Sequence, residues 1–392
     1  MKAIIKLFAA VSASLLIFAC EESEIVDGGG VGVKMEGLVL SFDKSVIKSD
    51  GNDVVTFSAY YNGENVNDDV AFFILSGTEY IPIDRTFSTD KNGEYSFQAA
   101  YKTTYSDVVS ISAISRDIPA AATDLQKSNT SFVRRTFFNQ HTGSQCPNCP
   151  FMTYLIKKTL TDDVKDKVVL ASLRNYSGEA GFASVPNPAS SWPYLHIDYA
   201  DTYPYNGSVD GLKAKINAVT AEPAMAGISA SPVYYEDGQL IVKVAVKAAE
   251  TAEYNVGLWL MQDNFKKTQV VDNSRLSLLE GTWGESYHYH NNCVRVAESK
   301  YLGSHVGYPL GKIEAGQTAE WIFLVTVNIG QTDLNGDGQC DVLDSWWVGK
   351  SKINLDDLHF AAFVTAREGS RYNVVNAIDF KYNEERPFEY IK

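Results

Sequence analysis

Two cysteines separated by two residues are the strongest chemical signal in the sequence. Cys146-Pro147-Asn148-Cys149 is a C-x-x-C motif, and Pro150 opens a stretch with helical spacing over residues 151–160. At a helix N-terminus the partial positive charge stabilises a thiolate, so Cys146 would attack a disulfide and Cys149 would resolve the mixed disulfide. An inert disulfide that staples the loop is the alternative, and both stay open. A zinc site is not expected, because no second C-x-x-C or H-x-x-x-H pair supplies further ligands.

A second candidate site is the acidic loop of residues 333–344. It places side-chain oxygens at the ligand positions of a calcium loop and Gly338 at the position that requires a sharp turn. The alternative is an acidic turn that binds no metal. We predict a structural calcium ion, inserted between strands, with its ligands at Asp333, Asn335, Asp337, Gln339, Asp341 and Asp344.

The N-terminal residues predict export and lipidation. Residues 1–19 combine two lysines with an apolar stretch, as in a secretory signal peptide. Residues 16–20 resemble a lipobox, in which Cys20 is acylated (palmitate is one such chain) and anchors the protein in the membrane. Residues 20–34 form a flexible tether. Its acidic start resembles the signal that places Bacteroidetes lipoproteins on the cell surface, so we expect an outer-membrane, cell-surface location, with the periplasmic face as the alternative.

The remaining cysteines fit an oxidising compartment. Once Cys20 is set aside, four are left, and the short spacing of Cys146 and Cys149 favours pairing between them. That leaves Cys293 and Cys340 for a second disulfide in the last domain.

Composition excludes some partners. After removal of the two lysines of the signal, the chain has 32 basic and 48 acidic residues, a net charge of −16. This charge argues against nucleic acid and against membrane contact other than the N-terminal lipid.

The pattern of strands and turns predicts three domains after the tether. Residues 35–117 show six short strands with turn signals, as in an immunoglobulin-like β-sandwich. Residues 130–224 open with strand, C-x-x-C, helix and strand, which is typical of a thioredoxin-like domain. Residues 225–392 return to alternating strands and predict a C-terminal β-sandwich that carries the calcium loop. The fold class is multi-domain and mainly β, with a central α/β part.

Residues 138–150 resemble the T-G-x-x-C-x-N-C-P signature of a family of Bacteroidetes lipoproteins related to a twenty-eight-kilodalton outer-membrane protein. Residues 290–295 resemble that family's H-N-x-x-x-R segment. The resemblance implies a thioredoxin-like domain followed by a β-sandwich on the outer membrane.

The motif departs from active thioredoxins. Those proteins place a carboxylate six residues before the attacking cysteine and a tryptophan directly before it, where this chain has Gln140 and Gln145. Glutamine cannot accept the proton. Tyr203-Pro204 could supply the cis-proline that faces the disulfide in that fold, which would make Pro204 part of a redox site with Cys146 and Cys149. The residues after it lack an obvious terminal hairpin and predict a helix over 209–219.

The sequence therefore favours a binding or adhesion lipoprotein with an extracellular protein or glycan as its ligand. In this interpretation the thioredoxin-like domain is non-catalytic or weakly redox-active. The rival interpretation is an extracytoplasmic thiol-disulfide oxidoreductase that uses Cys146 and Cys149.

Overall fold

The computed structural model describes residues 31–32, 37–174, 192–235, 238–301, 304–326, 354–369 and 371–392. Within these ranges the chain is mainly β, with two α-helices in its middle part. The predicted fold class is therefore confirmed. No helix in the described ranges is both long enough and apolar enough to span a bilayer.

The first part of the chain is a β-sandwich. The first strand of the described residues, β1 (Val31–Gly32), lies outside this sandwich. The strands of the sandwich are β2 (Leu38–Phe42), β3 (Val46–Lys48), β4 (Val55–Tyr61), β5 (Glu64–Asn65), β6 (Ala71–Ser76), β7 (Glu79–Ile83), β8 (Thr86–Phe87), β9 (Gly93–Tyr101), β10 (Thr104–Tyr105) and β11 (Val109–Ile114). One sheet contains β2, β4, β5 and β8, and the other has the order β3-β11-β9-β6-β7, with β10 beside β9.

Alternation along the strands builds this sandwich. Val55, Phe57 and Ala59 of β4 are buried and their neighbours are more exposed, which is the pattern of a strand with one face on a core. The ring centroids of Phe57 and Phe97, from opposite sheets, are 4.6 Å apart. The N-terminal segment contributes to both sheets, because β2 pairs antiparallel with β4 and β3 pairs parallel with β11. The sandwich is immunoglobulin-like, as predicted.

The middle part consists of β12 (Thr136–Thr142), α1 (Cys149–Thr159), β13 (Val168–Arg174), β14 (Tyr194–Ile197), β15 (Asp201–Tyr203) and α2 (Val209–Val219), with a 3₁₀ turn at Lys165–Lys167. The strand order is β13-β12-β14-β15, and β12 is parallel to β13 and antiparallel to β14. This is the topology of a thioredoxin-like fold.

Both helices are amphipathic and cover one face of these strands. Met152 and Ile156 of α1, and Leu212 and Ile216 of α2, are buried at helical spacing. They pack with Phe138 of β12 in one cluster. Ser208 caps α2, since its hydroxyl accepts a hydrogen bond from the Gly211 N–H at 3.0 Å. The helix predicted over residues 209–219 is present, and no hairpin follows Pro204 before it; the hairpin of this part is formed by β14 and β15, which precede Pro204.

The described residues of the C-terminal part form the strands β16 (Ala226–Tyr234), β17 (Gln239–Ala248), β18 (Ala252–Gln262), β19 (Phe265–Lys266), β20 (Tyr289–His290), β21 (Cys293–Glu298), β22 (Tyr308–Ile313), β23 (Thr318–Thr326), β24 (Leu358–Glu368) and β25 (Arg371–Lys381). 3₁₀ turns lie at Asn273–Leu279, Glu285–His288 and Leu355–Asp357. The sheet β16-β17-β23 packs on β18, β21 and β24 through an apolar core.

One large sheet connects the middle and C-terminal parts. Its order is β1-β25-β24-β18-β21-β13-β12-β14-β15, with β22 beside β18. The junction is a parallel pairing at Ser172 of β13 and Cys293 of β21. The predicted domains 130–224 and 225–392 therefore share a sheet.

A second apolar cluster joins the same two parts. Phe137 of β12 lies 5.2 Å from Trp259 of β18 and 4.9 Å from Phe363 of β24, measured between ring centroids. All three side chains are fully buried. β12 is thus buried on both faces, by α1 and α2 on one side and by this cluster on the other.

The immunoglobulin-like sandwich also contacts the C-terminal part. Val46 and Ile114 pack with Ile241 of β17. The Ser45 hydroxyl donates a hydrogen bond to the Ile322 carbonyl at 2.5 Å, and the rings of Phe42 and Trp321 are 5.8 Å apart. The sandwich is therefore packed against the rest of the chain.

Candidate functional site

The C-x-x-C motif lies where the central strand β12 turns into helix α1. Cys146 and Cys149 form a disulfide with a Cα–Cα distance of 5.4 Å. The loop closes through backbone hydrogen bonds from the Cys146 N–H to the Gly143 carbonyl and from the Cys149 N–H to the Cys146 carbonyl. Helix α1 begins at Cys149, with Pro150 in its first turn, so Cys146 precedes the helix. The two cysteines are 3% and 1% exposed, so the disulfide is buried.

A segment from the C-terminal part covers the disulfide loop. The side-chain amide of Gln269 donates to the carbonyls of Gly143, Ser144 and Cys146 at 3.1–3.2 Å. The backbone N–H of Val270 donates to the Ser144 carbonyl at 2.9 Å. Gln269 is itself buried. Its amide therefore adds a second donor to loop carbonyls that already accept a backbone N–H.

Arg275 extends this cover to the start of α1. Its guanidinium donates to the Asn148 side-chain oxygen at 3.1 Å and to the Tyr205 hydroxyl at 3.0 Å. The same group lies 4.9 Å from the centre of the Phe151 ring. Asp272 directly precedes the 3₁₀ turn that carries Arg275. Its backbone N–H donates to the Pro147 carbonyl at 2.9 Å. Sequence reasoning missed this covering segment, because nothing local in residues 269–275 indicates contact with a loop more than 100 positions away.

The position that carries a proton acceptor in thioredoxins is occupied by a structural glutamine. Gln140 is buried, and its amide donates to the Thr153 hydroxyl of α1 at 3.0 Å. Its side-chain oxygen accepts from the Ser172 hydroxyl at 3.3 Å. These hydrogen bonds tie β12 to α1 and β13. Gln145, directly before Cys146, is exposed.

The proline predicted to be cis is not cis in the structure. In the described part of the chain the cis peptide bond is Trp192-Pro193, and the bond before Pro204 is not cis. Pro193 directly precedes β14, the strand antiparallel to β12, whereas Pro204 follows β15. The prediction failed because the hairpin was expected after the cis-proline and was therefore sought after Pro204. Trp192-Pro193 carries the same sequence signal as Tyr203-Pro204, which is an aromatic residue directly before proline.

Two buried histidines beside the central strand were not anticipated. His141 on β12 and His196 on β14 lie on one face of the sheet, because His141 pairs with Tyr194 and Asn139 pairs with His196. Burial lowers the pKa of His141 to about 3, and the neighbouring His196 adds to the shift. Among the described residues, neither ring nitrogen of His141 has a hydrogen-bond partner. His141 is therefore neutral at pH 7.

Several predicted sites lie outside the described residues. These are Cys20, Cys340 and the calcium loop of residues 333–344. Cys293 is buried at the start of β21. Because Cys340 lies outside the described residues, the disulfide between Cys293 and Cys340 stays a prediction. Among the residues that the structure describes, no group of three or more His, Cys, Asp or Glu side chains could hold a metal ion.

The fold and the site define a mainly β chain in which a thioredoxin-like part, with a buried disulfide, continues into a C-terminal β-sandwich. No protein-family model and no curated protein matches the chain. Among solved structures, the chain is similar to HBP35 of Porphyromonas gingivalis, with 14% sequence identity and a TM-score of 0.48. The match covers 66% of this chain and 78% of that protein. Membership of the lipoprotein family that residues 138–150 resemble stays a prediction.

Proposed function

We propose that this chain is a surface-exposed outer-membrane lipoprotein that acts as a binding or adhesion module, in which the thioredoxin-like part is a scaffold. Cys20 carries the lipid and residues 20–34 are the tether. A calcium ion stabilises the loop of residues 333–344. The ligand is an extracellular protein or glycan.

The observation that carries this proposal is the cover over the disulfide. A redox-active cysteine is partly exposed, because its thiolate must reach the sulfur of a substrate disulfide. Cys146 is 3% exposed, and the carbonyl of the same residue accepts a hydrogen bond from Gln269. The loop would have to lose these contacts before Cys146 could react. The positions of Gln140 and Gln145 agree with this interpretation, because neither side chain can accept a proton.

A reductase assay tests the proposal. The purified chain, reduced in advance and freed of reductant, is mixed with a peptide disulfide, alongside a Cys146→Ser variant. We expect the peptide disulfide to be reduced no faster with either protein than in the absence of protein. Reduction that is faster with the native chain and absent with the Cys146→Ser variant would show an oxidoreductase and refute the scaffold role.

The location is tested on whole cells. Surface placement predicts that added protease removes the native chain from intact cells. A Cys20→Ser variant should leave the membrane fraction, because its anchor is lost. A native chain that resists protease until the outer membrane is opened would place the protein on the periplasmic face and contradict the surface assignment.

A further inference from the structure

A cleft lies between the last turns of α1 and the segment of residues 282–287. Its volume is about 250 Å³, and it is open to solvent on one side. Its walls combine ammonium groups, hydroxyls and aromatic rings, which are contributed by Tyr154, Lys157, Lys158, Thr282, Ser286 and Tyr287. The volume is small for a ligand site and suits a single ring with its substituents.

The positive charge of the cleft is only partly compensated. Lys158 pairs with Glu280, with 3.1 Å between the ammonium nitrogen and a carboxylate oxygen. Lys157 has no carboxylate within ion-pair distance among the described residues, and its ammonium lies 5.0 Å from the centre of the Tyr287 ring. Partial burial lowers the pKa of Lys157. The α1 carbonyl dipoles attract both ammonium groups. The side chain of Lys157 remains accessible, so its N–H groups can reach an acceptor from solution.

The aromatic wall of the cleft is held in place. Tyr287 is 5% exposed, and its hydroxyl shares a hydrogen bond with the Thr282 hydroxyl at 2.9 Å. Trp283 packs on the Tyr287 ring, with 5.0 Å between centroids. The Tyr154 hydroxyl oxygen is shielded from solvent and has no well-aligned hydrogen-bond partner, although the Glu280 carboxylate lies near enough to raise the pKa of Tyr154 together with burial.

We propose that this cleft binds an acidic sugar residue, whose carboxylate or sulfate accepts hydrogen bonds from Lys157 while its ring lies against Tyr154. An anion supplies an acceptor for the accessible ammonium group of Lys157, and a sugar ring offers C–H groups for Tyr154 and hydroxyls for Thr282 and Ser286. After the Lys158–Glu280 pair is counted, the ammonium charge of Lys157 is left over, so the cleft favours an anionic ligand although the whole chain carries a net charge of −14. The inference rests on the proposed binding function and names its ligand class.

Ligand-observed NMR on the full chain tests the inference, with sodium glucuronate, glucose and sodium sulfate as probes. We expect saturable binding of glucuronate and at least about tenfold weaker binding of glucose and of sulfate, a difference of about 1.4 kcal/mol. Lys157→Gln should weaken glucuronate binding about tenfold, whereas Lys157→Arg should keep most of the affinity. Lys312→Gln, on β22 and paired with Glu314, is the matched control and should bind as the native chain does.

The outcomes separate this inference from the proposed function. Absence of glucuronate binding, or unchanged binding in Lys157→Gln, would overturn it. Sulfate that binds as tightly as glucuronate would also overturn it, because the cleft would then recognise an anion without the sugar. Thermal melting of each variant confirms that it is folded. The scaffold role of the disulfide depends only on the reductase assay, so either proposal can fail alone.

Discussion

The side-chain amide of Gln269 donates a hydrogen bond to the carbonyl of Cys146 at 3.1 Å across 123 positions of sequence. The disulfide loop thus belongs to the thioredoxin-like part by topology and to the C-terminal part by its contacts. The same residue also reaches the carbonyls of Gly143 and Ser144.

Replacement of Gln269 should loosen this loop. Gln269→Ala removes the side-chain hydrogen bonds to three loop carbonyls, each of which keeps one backbone donor, so we expect the free energy of unfolding to fall by about 1 kcal/mol. The disulfide should also become easier to reduce, because its cover is lost. Urea denaturation and the rate of reduction by a mild thiol measure the two effects. Gln98→Ala removes a comparable hydrogen bond to the Ser106 carbonyl in the immunoglobulin-like sandwich and should leave the reduction rate unchanged.

The ion pair of Arg134 and Asp198 should be the most sensitive electrostatic contact of the central sheet. The guanidinium lies 2.7 Å from the carboxylate, both side chains are buried, and Arg134 also donates to the Val374 carbonyl of β25. Burial raises the pKa of Asp198, while Arg134 opposes the shift. Arg134→Met should therefore cost about 3–5 kcal/mol, because it leaves a buried carboxylate without its partner.

Urea denaturation measures this loss, and adding Asp198→Asn to Arg134→Met should restore part of it. The exposed pair of Lys165 and Asp162 is the matched control. Lys165→Met should change the free energy of unfolding by less than about 1 kcal/mol. Equal effects at the two sites would contradict the importance of burial.

Four histidines should determine how the free energy of unfolding changes with pH, one of them on the alkaline side and three on the acid side. Burial opposes protonation of His359, but the carboxylates of Asp263 and Asp379 outweigh it and raise its pKa to about 9. The stabilisation from His359 is complete below its unfolded pKa of about 6.5 and is lost as pH rises through about 9. Burial lowers the pKa of His141 and His290 to about 3 and of His305 to about 4. Their contribution is present above about 6.5 and is lost as pH falls toward these values.

The free energy of unfolding should therefore be largest near pH 6.5 and should fall on both sides. Urea denaturation at several pH values measures the profile. His359→Gln should flatten the alkaline limb between pH 6.5 and 9, whereas His305→Gln should flatten the acid limb. An alkaline limb that is unchanged in His359→Gln would show that other groups determine it.

Calcium should raise the melting temperature of the chain. The ligand pattern from Asp333 to Asp344 predicts binding to the folded state, so a chelator should lower the melting temperature and added calcium should restore it. Asp333→Ala with Asp337→Ala should melt at the chelated temperature and be insensitive to calcium. A native chain whose melting temperature is unchanged by chelator would refute the calcium loop.

Local patterns in the sequence predicted much of the architecture. The alternating strands of the first sandwich, the amphipathic spacing of α1 and α2, and the pairing of Cys146 with Cys149 each depend on residues close together in the chain. Such patterns report which side of an element faces a core, because a strand repeats every two residues and a helix every 3.6.

The sequence could not show which distant elements meet. The pairing of Ser172 with Cys293, the packing of Phe137 on Trp259 and the cover of Gln269 over Cys146 all join positions far apart in the chain. The choice between Pro193 and Pro204 likewise depended on which hairpin pairs with β12.

The sequence by itself determined that the chain is mainly β, that its middle part begins as a thioredoxin-like unit and that Cys146 and Cys149 are close enough to pair. Only the tertiary structure decided that the disulfide is buried, because its exposure depends on the segment of residues 269–275 that folds over it. Spacing fixes which groups can react, but access to them is set by long-range packing.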